Sequence, residues 1–181
     1  MAKIYTKKGD KGTTGLYRGE RVSKSSPQIE INGAVDEAQS FIGLARSELL
    51  DCEELNSILK HIEKDLWILM AEVATTKSAK VPPTPGVDQV NEIMVKAIEV
   101  LIDEFAAKFR LPKQFVVTGE NRAAAQLDVA RAVVRRAERI AVAYGEYVDD
   151  GYVIIYLNRL SDLLWTLARY VENGSLFVKD L

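Results

Sequence analysis

Apolar residues recur at alternating spacings of three and four along most of this chain, the period of amphipathic helices. Ile31, Val35, Ala38, Ile42, Ala45 and Leu49 fall on one face of a first helix. Leu55, Leu59, Ile62, Leu66, Leu69 and Val73 repeat the pattern, and Asp51 followed by Glu54 has the spacing of a capped helix start. Lys77 to Gly86 holds three prolines and no period, so a loop is expected. A third helix is predicted from Asp88 to Phe109, with Val90, Met94, Ala97, Leu101 and Phe105 inward and Pro112 ending it. Phe115-Val116-Val117 is a short extended apolar piece. A fourth helix is predicted from Glu120 to Tyr144, with Ala123, Leu127, Ala130, Val134, Ala137 and Ala141 as its seam. A fifth runs from Val153 to Val171 on Val153, Leu157, Leu160, Leu164, Leu167 and Val171. Gly145, Gly151 and Asn173-Gly174 are ordinary helix stops. Five helices with such seams make an all-α, five-helix bundle. No repeat, linker or low-complexity stretch divides the chain, so residues 1–181 are expected to form one domain. Residues 1–27 form its loop segment and 28–173 the bundle.

The N-terminus breaks this pattern. Ile4 to Gly15 packs three glycines and three lysines into a stretch that is expected to lack regular structure. Glycines let backbone N–H groups approach a ligand closely, and successive N–H groups in turns form anion-binding concavities. Hydroxyls of Thr6, Thr13 and Thr14, with the ammonium groups of Lys7, Lys8, Lys11 and Lys24, add donors for phosphate oxygens. The segment has the make-up of a polyphosphate cradle, although no G-x-x-x-x-G-K-[ST] motif is present. A basic N-terminal arm without a ligand is the other reading.

Composition narrows the function. At 181 residues and 48% hydrophobic content the chain is long enough for one well-buried core. Net charge is only −2, which does not suggest a nucleic-acid binder. Residues 1–24 hold seven Lys/Arg against two Asp/Glu, so a local basic patch sits on an otherwise acidic protein. That suits a small anionic ligand. One cysteine, Cys52, excludes an internal disulfide, and one histidine, His61, excludes a multi-histidine metal centre. His61 is expected at the surface or in packing. No protein metal site is expected. No apolar run approaches about 18 residues and no signal-peptide core is present, so a soluble, cytoplasmic protein without membrane partners is expected.

Two helical segments carry unusual polar residues. Residues 131–139 hold four arginines in nine positions. Arg131, Arg135 and Glu138 share one stripe, with Asp128 and Arg139 beside it, whereas Arg136 lies about 140° from Arg131 among Val129, Val133 and Ile140. An arginine in an apolar sector needs a buried partner or an interface. The stripe is either a solvated salt-bridge face or a ligand face. Asn158 shares its stripe with Ile154, Ser161 and Trp165, so its amide needs a partner. A ligand and a neighbouring helix are equal candidates. Asp36-Glu37 and Gln39-Ser40 on the first helix raise the same question.

In order, the segments IYTKKGDKGTTGLYRGERVSK, NGAVDEAQSFIG, ARAVVRRAER and YLNRLSDLLWTLAR resemble the ATP:cob(I)alamin adenosyltransferases of the trimeric, five-helix-bundle type. The resemblance spans nearly the whole chain. It implies transfer of the 5′-deoxyadenosyl group of ATP to the Co(I) centre of a reduced corrinoid, with release of triphosphate and with Mg2+ assisting. It also implies a homotrimer with ATP in a cleft between subunits. Thr6, Lys7, Lys8, Gly9, Thr14, Gly15 and Lys24 would hold the triphosphate. Arg135, Arg136, Glu138 and Arg139 would lie along the nucleotide of a neighbouring subunit, and Asn158 would bind it from the fifth helix. Asp36 would pair with Arg131 across the subunit boundary, and Phe115 would lie under the corrin ring. A reductase and an enzyme that uses the product are implied partners.

Two positions depart from the family pattern. Asp128 stands where the family usually has a histidine, and Thr118-Gly119-Glu120 replaces a P-G-G loop. Both put the corrinoid side of the site in question, not the nucleotide side. An ATP-binding bundle that has lost the transfer reaction is the alternative function. A nucleic-acid-binding bundle is disfavoured by the near-neutral charge and by Glu138 inside the arginine cluster.

Overall fold

The computed structural model describes residues 4–145, 151–172 and 174–178. Five helices dominate it: α1 Pro27–Ser47, α2 Glu53–Val73, α3 Glu92–Ala106, α4 Arg122–Ala143 and α5 Val153–Glu172. The N-terminal segment is not wholly irregular. Thr13–Gly15 (β1) pairs antiparallel with Arg21–Ser23 (β2), Thr14 opposite Val22. Such a two-stranded ribbon is marginal alone, and its docking on the bundle through Arg18 stabilises it.

Helix ends follow their caps more than their apolar periods. Asn91 accepts from the Met94 N–H at 3.0 Å and starts α3 later than Asp88. Asn121 does the same for Ala124 at 2.8 Å and starts α4. The expected Asp51 cap is not formed. Cys52 occupies the N-cap of α2 without a side-chain hydrogen bond. Helix α3 stops at Ala106, well before Pro112, and its inward face carries Val95, Ile98 and Phe105, whereas Ala97 is exposed. The Phe115–Val117 strand-like piece pairs with the chain's end, Val116 facing Phe177 and the Val117 N–H donating to Leu176 at 2.8 Å. The stop expected at Asn173 lies outside the described residues.

Helix α4 packs against both α1 and α5, α2 lies outside α1, and α3 lies outside α5. The seam of α4 is mostly alanine, and Ala124, Leu127, Ala130, Val134, Ala137 and Ala141 are fully buried. Ala34, Ala38 and Ala45 of α1 are buried as well. Small residues at a helix contact shorten the interaxial distance. The longer Leu157, Leu160, Leu164 and Leu167 of α5 fill the space beside them.

One buried polar pair ties the outer helix α2 to α5. Asp65, 4% exposed, accepts a hydrogen bond from the Tyr156 hydroxyl at 2.9 Å. Exposed His61 approaches the other oxygen at 3.8 Å. Burial pushes the Asp65 carboxyl above its ordinary value, against the Tyr156 hydrogen bond and the charges of His61 and Lys64. A carboxyl raised in the folded state loses stability as pH rises from its unfolded value through the folded one. Asp65→Asn keeps the acceptor and removes the titration. Its melting temperature should therefore rise relative to the wild type as pH increases above the ordinary carboxyl value of 3.8, whereas Asp65→Ala should cost about 1–3 kcal/mol by orphaning the Tyr156 hydroxyl. Thermal unfolding across that range checks both. A wild-type-to-Asn difference independent of pH would show that Asp65 titrates alike folded and unfolded.

Candidate active site

The N-terminal segment is built around Arg21 and two glycines. The Arg21 guanidinium donates to the Lys8 carbonyl at 2.7 Å, the Thr13 carbonyl at 3.1 Å and the Thr13 hydroxyl at 2.8 Å. These bonds fold residues 8–13 into a closed turn. Gly12 has φ +76, a conformation open to glycine at no steric cost, and its carbonyl accepts from the Lys24 N–H at 2.9 Å. The Lys24 ammonium lies over Gly9, where an added Cβ would meet Nζ at 3.1 Å. Lys7 holds a left-handed φ of +58, which costs about 1–2 kcal/mol for a residue with a side chain. The turn thus gathers Lys7, Lys8, Gly9 and Lys24.

Arg18 fastens this segment to the bundle. Its N–H donates to the Ala74 carbonyl at 3.3 Å, its carbonyl accepts from the Thr76 N–H at 3.2 Å, and its guanidinium meets the buried Asp88 at 2.5 Å. The anchor is the C-terminal end of α2, the bundle end at which α1 begins and α4 finishes. Arg136 and Arg139 of α4 line a cleft of about 400 Å3 there with Ser25 and Glu30.

Arg136 does not enter an apolar core. It is half-exposed and pairs with Glu37 of α1. Asn158 donates to Glu138 at 3.0 Å and accepts from Arg159 at 2.7 Å. The helix-to-helix partner that the amide needed is therefore present, and it brings Glu138 and Asn158 side by side. Among the described residues, Lys7, Lys8, Lys24, Arg135 and Arg139 have no carboxylate partner. In an acidic protein these unpaired cations are available to a polyanion.

Arg131 is held differently. Its Nε lies 3.5 Å from the Asp128 carboxylate without forming a hydrogen bond, and both atoms are buried. Asp36 is exposed on α1. The two do not meet within one chain. Asp128 itself is buried, and its other oxygen accepts from Arg169 at 2.5 Å. Arg169 also meets Glu172 at 2.7 Å, and Glu172 accepts from Ser175 at 2.9 Å. This network was not foreseen from the sequence, where Asp128 was placed beside the surface arginines. Charged residues three apart on the otherwise apolar second half of α5 were its signal.

Phe115 is 87% exposed. It lines a shallow hollow of about 700 Å3 with Pro112, Lys113, Gln114 and Val178. A fully exposed aromatic ring on a hydrogen-bonded strand is not a packing residue.

Residues 4–171 match the family described as Cobalamin adenosyltransferase. The chain belongs to that family. It is 38% identical to a corrinoid adenosyltransferase of Citrobacter freundii, over 95% of this chain and 96% of that one. It is 37% identical to the corrinoid adenosyltransferase of Bacillus subtilis strain 168, over 96% and 88% respectively. It also resembles the corrinoid adenosyltransferase PduO of Salmonella typhimurium at 36% identity, spanning 50% of that longer protein. Among solved structures, a variant PduO-type ATP:corrinoid adenosyltransferase from Lactobacillus reuteri complexed with cobalamin and ATP matches with TM-score 0.89 and 28% identity, over 98% of this chain and 97% of that one.

Within the family fold, the glycine-lysine turn and the arginine half of α4 share one end of the bundle, while Phe115 precedes the start of α4. At about 1.5 Å per residue, Arg136 lies about 20 Å along α4 from its N-terminus, farther than a triphosphate reaches. Arg18→Ala should release the turn without unfolding the bundle, because the Arg18–Asp88 pair is the segment's charged anchor. Limited proteolysis should cut between residues 4 and 24 faster, with a small fall in melting temperature. Unchanged proteolysis would assign the anchoring to the backbone bonds alone.

Proposed function

We propose that this protein is an ATP:cob(I)alamin adenosyltransferase that works as a homotrimer with active sites between subunits. The observation that carries the reading is the pairing of unpartnered cations around the turn and on α4 with the exposed Phe115 ring. A triphosphate and a flat macrocycle are the two ligands these surfaces fit. Cytoplasmic location is part of the same proposal. Among the described residues no helix is long and apolar enough to cross a membrane.

Reduced corrinoid supplies the nucleophile, Co(I), which attacks the 5′ carbon of ATP and displaces triphosphate. The chain needs no nucleophile or general base of its own. Its tasks are to align two bulky substrates and to stabilise charge that builds on the departing triphosphate. In this reading Lys7, Lys8, Lys24 and the N–H groups of Gly9 and Gly15 hold the phosphates, with Thr6 and Thr14 contributing their hydroxyls. Arg135 and Arg139 approach from a neighbour, next to Arg136, while Glu138 and Asn158 form a preassembled polar pair for the nucleoside. Magnesium fits as a companion of the phosphates. Among the described residues no group of three His, Cys, Asp or Glu side chains could hold an ion by itself.

Buried, unsatisfied Arg131 Nε and exposed Asp36 support an inter-subunit pair. Each lacks a full partner among the described residues, and a ring of heterologous contacts would join one to the other. Phe115 in this reading blocks the lower face of the corrin, so that cobalt loses its lower ligand and becomes easier to reduce. An electron-donating reductase and an enzyme that takes the adenosylated product complete the set of proposed partners.

Subunit mixing tests the shared site. Lys24→Ala and Arg135→Ala should each lower turnover by about 10²–10³. Co-expressed together they should regain activity, because random mixing sets an intact turn against an intact α4 at about one interface in four. No recovery would place both residues in one chain's site. The direct assay is protein, ATP, magnesium and chemically reduced cobalamin, followed by the visible spectrum of adenosylcobalamin.

Phe115→Ala should slow the reaction more from Co(II)alamin with a weak reductant than from preformed Co(I). Its exposure also requires that melting temperature barely change, against the 3–5 kcal/mol that truncation of a core phenylalanine costs, about the range for buried aromatics. Equal losses from both starting states would remove Phe115 from control of cobalt coordination.

A further inference from the structure

Behind the segment that presents Phe115 lies a second hollow of about 700 Å3, lined by Lys108, Phe109, Arg110, Lys113, Tyr170 and Phe177 among others. Pro112, Lys113 and Gln114 line both this hollow and the one at Phe115, so a wall three residues long separates them. Its charges fall into two groups. Lys108 is committed to Glu54 at 3.0 Å and Glu104 at 3.1 Å, and stacks over the Phe105 ring at 4.0 Å. Arg169 is committed to Asp128 and Glu172, although its Nε remains buried without a hydrogen-bond partner. Arg110 and Lys113 have no ion-pair partner among the described residues. No acidic side chain is among the described residues that line the hollow.

We infer that this hollow receives the detached lower tail of the corrinoid, its phosphodiester against Arg110 and Lys113 and its aromatic base against Tyr170 and Phe109. The inference rests on the proposed seat of the corrin ring at Phe115. A ring lying on Phe115 leaves no space for a base beneath cobalt. That base stays tethered to the ring by a chain carrying one phosphodiester, so the freed tail is an anion ending in a flat aromatic group. It must settle within its tether's reach of Phe115. The adjoining hollow offers free cations and aromatic walls in the same cavity, where the tail's charge meets no carboxylate among the described lining. Holding the tail there also lowers the chance that the base returns to cobalt, so binding of the tail and exclusion of the lower ligand support each other.

A comparison of two substrates tests this. Reduced cobalamin carries the tail, and reduced cobinamide lacks the nucleotide. The double variant Arg110→Ala with Lys113→Ala should raise KM for cobalamin about three- to tenfold, the range for two partly exposed charge contacts. It should leave kcat nearly unchanged and KM for cobinamide unaltered. Added salt should shrink the wild type's preference for cobalamin and leave the variant's unchanged. Lys113→Glu alone should give the same selective loss, which keeps the test available if the double variant folds poorly. An equal rise for both substrates, or none for either, would overturn the tail site. The seat of the ring is judged separately, since Phe115→Ala must affect cobalamin and cobinamide alike if the ring lies there.

Discussion

The alanine seam of α4 is the constraint from which the rest of the molecule follows. Helix α4 is covered by α1 on one side and α5 on the other, and small side chains let both approach closely. With two faces closed, only narrow sectors of α4 remain for polar groups. The arginines therefore emerge along the edges of the α1 and α5 contacts. Arg136 reaches Glu37 across one edge, and Glu138 reaches Asn158 across the other. A bulkier seam would separate the helices and break both pairs at once.

Charge in this protein is divided by partner. Arg18, Arg46, Arg136, Arg159 and Arg169 are matched to carboxylates, and these pairs join elements distant in sequence or hold the bundle's far end. The cations of the glycine-lysine turn and Arg135 and Arg139 of α4 are left unmatched. The matched arginines tie the elements of the fold together. The buried Asp128–Arg169–Glu172 network belongs to the first class, since removing one member of such a set leaves another charge buried and unpaired. Asp128 thus braces the far end of the bundle through Arg169.

An enzyme of this kind places its demands on geometry. Its substrates bring both the nucleophile and the leaving group, so the chain invests in rigid helices and in a turn fastened by Arg18 and Arg21. That turn is pinned at its base by Arg21 and leaves the Lys7 and Lys8 side chains exposed.

The five helices, and the buried faces of all but α3, were determined by sequence alone, because a period of three and four leaves one stripe that has to leave water. Ile31 to Ala45, Leu55 to Val73, and the α4 and α5 seams were legible in this way, as were the glycine-lysine turn and the arginine-rich half of α4. Helix ends were less legible, since Asn91, Asn121 and Cys52 compete locally for the capping position and the periodic stripe says nothing of which residue wins. Tertiary structure alone decided the partners. The sequence could not choose between a ligand and a helix for Asn158, nor foresee that Arg136 would meet Glu37 or that Asp128 would be buried against Arg169. Those choices depend on how neighbouring helices rotate and how closely they approach, which is set by side-chain volumes on elements far apart in the chain. The same holds for Phe115. Its sequence showed only a short extended apolar piece, and the pairing of Val116 with Phe177 turned its ring outward, because successive side chains on extended backbone face opposite ways.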